Sequence, residues 1–301
     1  MTIGTGRAVG VCLSLCLPEV LLAVPTPRPC ARQGVVPGPN ALRAVVLVEG
    51  ETDPSVAQAI AALGANTAAS LNPPDPAAGA NLAASGLSYI ARILVRDVER
   101  LPSDAAAIAR LRAIPALSGL EYYDDTVTEG YATPETQARA YGILKALFPD
   151  LLVLYAERLD PVATDPAYLD GFFRPDFTDL LVPYFYPVGN TILGPQQETD
   201  DWEDRLRALL EPVAACTPAG KGILPVLQAF EQTGYPLSGG LLRRQVEVYE
   251  ELWPEHFNAA LFAWTVGGEL HGMSEIPVLR RAASALFGEL PAPPMPCVVA
   301  R

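Results

Sequence analysis

Lysine and histidine are nearly missing from this 301-residue chain. Each occurs twice, and 34 acidic residues against 21 basic ones give a formal charge of −13. No basic stripe with interleaved aromatics is left to neutralise a phosphate backbone, which excludes nucleic acid as a partner class. No glycine-rich loop carries the dinucleotide spacing or a phosphate-loop lysine, so no nucleotide cofactor is called for. Two histidines cannot build a poly-histidine metal centre, and the five cysteines lack the spacing of a zinc site. Beyond the first forty residues nothing reaches the ~18 consecutive apolar residues of a membrane span.

What the chain does have is a rhythm. Eight short apolar runs, Leu42–Val48, Gly64–Ala69, Ser88–Val95, Ser118–Tyr123, Leu151–Ala156, Thr178–Tyr184, Gly222–Gln228 and Asn258–Trp264, alternate with stretches that read as helices. Continuous apolar strands such as Arg43-Ala44-Val45-Val46-Leu47-Val48 suit a parallel sheet buried on both faces, and parallel neighbours need crossovers. Helix starts are signalled by Asp53 before Pro54, Ser103 before Asp104, Thr133 before Pro134, Asp200 three residues ahead of Glu203, and Ser238 ahead of Leu241. The second crossover, Leu71–Gly86, has room for only a short helix. Eight such units predict an α/β fold, a single-domain (β/α)8 TIM barrel over residues 41–290. An open doubly wound sheet is the alternative. Residues 291–301 form a tail.

Residues 1–40 read as a leader. Arg7 precedes the apolar stretch Val9–Val24, followed by Pro25-Thr26-Pro27, the order of a secretory signal. The mature protein is therefore expected to be secreted or held at the cell surface. A barrel closes its last helix against its first strand, so Cys30 and Cys297 are expected to meet as a disulfide at the bottom face.

Barrel enzymes place their chemistry at the C-terminal ends of the strands. Lys145 and Lys221 precede strands rather than follow them, which rules against a Schiff base. Carboxylates and aromatics occupy the ends instead. Glu49 follows the first run and Arg96 and Asp97 the third. Glu121-Tyr122-Tyr123-Asp124-Asp125 closes the fourth, Tyr155-Ala156-Glu157-Arg158 the fifth, and Tyr184-Phe185-Tyr186-Pro187 the sixth. Gln228-Ala229-Phe230-Glu231 closes the seventh and Trp264 the eighth. Cleaving a glycosidic bond takes two carboxyl groups across it, one protonated and one ionised, and sugars bind flat apolar surface beside hydrogen-bonding groups.

On these residues the chain resembles the superfamily of (β/α)8 glycoside hydrolases. The resemblance runs over roughly Leu42–Gly268 and is carried by Gly119–Asp125, by Thr178–Pro187 and by Pro225–Phe230. It implies an acid at the end of the fourth strand, matched by Asp124 or Asp125, a Tyr-Pro element at the sixth, and a ligand-stacking tryptophan at the eighth, matched by Trp264. This chain departs from the superfamily's pattern at the seventh strand, where Gln228 stands in place of a tip glutamate.

The sequence thus predicts a hydrolase for the O-glycosidic bonds of a poly- or oligosaccharide. Asp124 or Asp125 is the general acid and Glu157 or Glu231 its partner. Glu49, Arg96, Tyr123, Tyr155, Tyr186, Gln228 and Trp264 are expected to hold the sugar. The alternatives are a carbohydrate-binding barrel without catalysis and a metal-dependent hydrolase using Glu49, Asp97 and Asp124 around Mg²⁺ or Ca²⁺.

Overall fold

Each of the eight apolar runs contributes a parallel strand in a computed structural model. It describes residues 42–48, 52–124, 133–159, 169, 174–191, 194–198, 201–218, 221–254, 258–266 and 269–290, with backbone alone at 123, 124, 190, 191 and 194–196. The strands are β1 (Arg43–Leu47), β2 (Thr67–Ser70), β3 (Ser88–Arg92), β4 (Leu117–Asp124), β5 (Leu152–Arg158), β6 (Leu180–Tyr184), β7 and β8 (Ala259–Phe262). In β7 the pieces Gly222–Ile223 and Val226–Gln228 flank Pro225, which has no N–H to give. The ladder still continues, since Leu224 N–H donates to Leu181 O and Ala260 N–H to Pro225 O. Neighbours pair in chain order, β8 pairs with β1 through Arg43↔Ala259 to Val45↔Leu261, and the sheet closes. The fold is a single-domain (β/α)8 barrel, and every described residue belongs to one compact unit.

The crossovers carry α1 (Pro54–Ala62), α2 (Pro76–Ala84), α3 (Val95–Arg100), α4 (Ala105–Ala113), α5 (Pro134–Leu147), α6 (Trp202–Ala215), α7 (Leu241–Leu252) and α8 (Pro277–Glu289). Asp53, Asp75, Asp104 and Thr133 cap the first residues of α1, α2, α4 and α5 with side-chain oxygens. Asp53 and Thr133 do as expected, whereas Asp104 takes the role assigned to Ser103. Ser238 does not cap α7; it donates to Glu198 instead.

Alternation along the strands separates two cores. Val45, Leu47, Ala68, Tyr89, Leu120, Tyr122, Val153, Tyr155, Leu181 and Leu227 meet the helices. Leu42, Ala44, Val46, Ala69, Ile90, Leu154, Ala156, Leu180, Val182, Leu224, Val226 and Ala260 fill the barrel. The stagger of about one residue per strand stacks this interior in tiers of alternate strands. Ala44, Ile90, Leu154 and Leu224 form one tier and Ala69, Glu121, Val182 and Ala260 the next. Val46, Arg92, Ala156 and Val226 come above these, nearer the C-terminal mouth.

Strand three ends three residues earlier than expected. Ile93 N–H still donates to Glu121 O, but Val95 already opens α3, whose Val95 and Val98 are buried. A short apolar run reads alike as strand or as the buried face of a helix, which is why the two merged in the sequence.

Close packing makes two glycines behave oppositely. A Cβ on Gly272 would collide with the Trp264 backbone, whereas one on Gly142, in α5, would meet nothing within 4 Å. Gly272→Ala is expected to lose about 1–3 kcal/mol, and Gly142→Ala to gain ~1 kcal/mol. Thermal denaturation of both variants checks this, and midpoints shifted in the same direction would contradict it.

Candidate active site

The barrel mouth has two unlike halves. On one side, at the ends of β3 and β4, Arg92 and Glu121 take interior positions, since both continue the alternation of Ile90 and Gly119 and pair in register. Arg92 Nη2 lies 3.3 Å from Glu121 Oε1, with the side chains only 16 % and 13 % exposed. Tiers of buried aliphatic residues lie beneath them, so the solvent that reaches this pair comes from the mouth. Arg158, at the end of β5, shares the interior parity of Leu154 and Ala156 and pairs with Tyr184.

Across the barrel, at the ends of β6, β7 and β8, the wall is aromatic. Tyr186 stacks on Phe262 with centroids 5.4 Å apart and meets Phe230 edge-on at 5.1 Å. Tyr184 lies 5.5 Å from Tyr186, and Phe230 meets Phe262 at 5.8 Å. Tyr184, Tyr186 and Phe262 remain partly exposed. Their rings, inclined by 35° and 30° from one to the next, form an apolar surface that carries two phenol hydroxyls.

Glu157 is not at this mouth. It continues the helix-facing side of Val153 and Tyr155, is 3 % exposed, and accepts a hydrogen bond from the Tyr155 hydroxyl. Tyr155 itself is buried against Tyr122, ring to ring at 6.0 Å, and Tyr122 donates to Phe177 O at 2.6 Å. Burial, with the nearby Tyr141, Asp179 and Glu157, pushes the Tyr122 phenol far above its ordinary value. These three side chains join the sheet to the helix layer.

Gln228 is fully buried and its amide is spent within the protein. Val188 N–H donates to its Oε1 at 2.9 Å, and its Nε2 donates to Val188 O and Phe230 O at 2.8 and 3.2 Å. It ties the loop after β6 to the end of β7. Trp264 is 7 % exposed and packs in the helix-side core. Phe262, two residues earlier, occupies the wall position expected of it. The peptide between Phe262 and Ala263 is cis.

Glu231 lies in a short ribbon in which Glu231 and Gln232 pair antiparallel with His271 and Leu270. Its Oε1 accepts from Leu237 N–H at 3.1 Å. Arg96 is exposed in the first turn of α3, four residues past the end of β3. Asp97, one of the proposed metal ligands, is also on α3, 3.7 Å from Arg100.

Glu49, Asp125, Cys30 and Cys297 lie outside the described residues, as do the leader and the tail, and of Tyr123 and Asp124 the backbone alone is described. That backbone holds one informative feature. The β4–β5 register runs Glu121↔Leu154 and then Asp124↔Ala156, so β4 carries one extra residue there. The bulge brings Asp124 level with Ala156, whose side chain is inside the barrel.

Sequence reasoning missed Arg92, Glu121 and Phe262 as mouth residues. Counting in twos from Ile90 and Gly119 would have found the first two, once β3 was ended at Arg92.

No protein-family model and no curated protein sequence matches the chain. Solved structures do. A glycoside hydrolase family 17 β-1,3-glucanosyltransferase from Rhizomucor miehei aligns over 77 % of this chain and 92 % of its own, at 13 % identity and a TM-score of 0.53. A GH128 endo-β-1,3-glucanase from Sorangium cellulosum aligns over 83 % and 98 %, at 14 % identity and TM-score 0.51. A β-D-glucuronidase from Dictyoglomus thermophilum aligns over 84 % of this chain and 51 % of its own, at 11 % identity and TM-score 0.57. At these identities the likeness establishes the barrel fold.

Gln228→Leu should leave the Val188 N–H and carbonyl buried without partners and cost about 2–4 kcal/mol, at ~1–3 kcal/mol per orphaned group. Urea denaturation measures it. A loss under ~1 kcal/mol would mean that the amide is free for a ligand.

Proposed function

We propose that the protein is a glycoside hydrolase-like enzyme that cleaves O-glycosidic bonds of a poly- or oligosaccharide at the C-terminal mouth of its barrel. The observation that carries this reading is the pairing of an aromatic wall, Tyr184, Tyr186 and Phe262, with a charged wall, Arg92 and Glu121, across one mouth. A pyranose ring presents a flat C–H face and a rim of hydroxyls, which such walls complement. That the similar solved structures are carbohydrate-active barrels is in keeping with it.

In this reading Asp124 or Asp125 protonates the leaving glycosidic oxygen as the C–O bond breaks. The bulge that brings Asp124 level with Ala156 supports placing the acid there. A second carboxylate attacks the anomeric carbon or draws a proton from the attacking water. Of the two expected partners, Glu231 suits the role better, because Glu157 is turned into the helix layer. The leader-like first forty residues favour a site of action outside the cell.

One observation favours a second reading. Strand seven ends in Gln228 with its amide consumed by Val188, so no carboxylate stands at that tip. A barrel that holds sugars without cleaving them needs the two walls and no acid pair.

Reducing-sugar release from plant, microbial and amino-sugar polysaccharides decides between them. Asp124→Asn and Asp125→Asn are made singly and together. We expect the single change at the acid to lower turnover by ~10²–10⁴-fold with folding preserved. Unchanged turnover in all variants removes the aspartates from the mechanism. No release from any polymer, with retention of the protein on one of them, selects the binding barrel.

A further inference from the structure

The Arg92–Glu121 pair is an anomaly in energetic terms. It stands on tiers of buried Ala, Val, Leu and Ile, and an apolar pair of similar volume would serve packing as well or better. Its surroundings are small: Glu121 shares its tier with Ala69, Val182 and Ala260, and Arg92 with Val46, Ala156 and Val226. Three of these six are alanine and the other three are valine, so no large side chain shares the two tiers with the pair. In an eight-stranded barrel β4 stands opposite β8, which sets Glu121 across from Ala260, with Phe262 and its stacked Tyr186 one interior position nearer the mouth on that side.

We propose that Arg92 and Glu121 form the floor of a single-sugar subsite and select a neutral hexopyranose over a uronate. This rests on the carbohydrate reading above and adds the charge class of the ligand. A ring lying on Tyr186 and Phe262 turns its edge hydroxyls toward the opposite strands. There the Arg92 guanidinium donates to one hydroxyl oxygen and the Glu121 carboxylate accepts from the neighbouring O–H. The two side chains carry opposite charges and sum to neutral as a pair. A sugar carboxylate gains little from an arginine already answered by a glutamate and is repelled by that glutamate, so the discrimination is built from a repulsive element as well as an attractive one.

The test is binding by calorimetry of neutral trisaccharides (laminari-, cello- and mannotriose) and of the corresponding uronic acid oligosaccharides. The proteins are the wild type, Glu121→Gln, and the double variant Arg92→Met/Glu121→Leu, whose apolar pair preserves packing. The wild type should bind at least one neutral probe tenfold or more tighter than its uronate counterpart. Glu121→Gln, which removes the repelling carboxylate, should erase or reverse that preference. The double variant should keep its melting temperature and lose tenfold or more for the neutral sugar. A merely structural pair would leave the neutral-to-uronate ratio alone in every folded variant. Unchanged ratios in folded variants, or a wild type that prefers the uronate, overturn the proposal while leaving the carbohydrate reading in place. A wild type that binds neither class and releases no reducing sugar overturns both.

Discussion

Barrel closure, in which Arg43–Val45 of β1 hydrogen-bond to Ala259–Leu261 of β8, is the constraint from which the rest follows. With no free edge, every strand has two partners and every interior side chain has a fixed height. Asn258 reinforces the seam, since its side chain accepts from Leu42 N–H at 2.7 Å and donates to Ile223 O at 2.9 Å. Arg43 adds a bond to the far end of α8 through Phe287 O. Register at this seam decides which residue of each strand reaches the mouth. A slip of one residue would turn Arg92 and Glu121 outward among the helices and bring the apolar helix-facing set inside.

The same constraint makes polar residues in the interior costly, and the chain spends them sparingly. Asp179 lies at the bottom end of β6, where Lys145 Nζ, Tyr141 hydroxyl and Val153 N–H all bond to it. The helix-side polar groups Tyr122, Tyr155 and Glu157 satisfy each other or the Phe177 carbonyl. These are sheet-to-helix rivets. Arg92 and Glu121 differ in lying within the barrel, reached from its mouth, which separates this pair from the rivets.

The fold was largely legible because all eight strands are apolar runs and the turns between them carry caps. Alternation also supplied the aromatic strip at β6. The site was less legible, for three physical reasons. Strand three and helix α3 share one apolar run, so Arg96 stood where Arg92 belongs. Facing is set by parity and not by proximity to a strand end, so Glu157 and Arg158, adjacent in sequence, fall on opposite sides of β5. A bulge adds one residue to β4 between Glu121 and Asp124, and nothing in the composition of Glu121–Asp124 announces it. Gln228 ends its strand as expected and Trp264 falls two residues past the end of β8, and both side chains found partners within the protein that no local pattern encodes.

Part of the aromatic half is held by other means than the charged half. Arg92, Glu121, Tyr184 and Phe262 stand on strands, whereas Tyr186 and Phe230 sit in the loops that follow, and those loops are tied to each other. Gln228 fixes Val188, Glu198 bonds to Ser238 and to Arg244, and Arg244 lies over the Trp202 ring at 5.3 Å. Glu231 holds Leu237 N–H, and the ribbon of Glu231–Gln232 with Leu270–His271 joins the loop after β7 to the loop after β8. Loops so joined cannot move one at a time. These ties act on the aromatic side before a ligand arrives, and the residues they hold have less ordering entropy to lose on binding. A wall so held meets the face of a ring while the charged pair reads its rim, and this is the kind of selectivity that a neutral floor opposite an apolar wall can enforce.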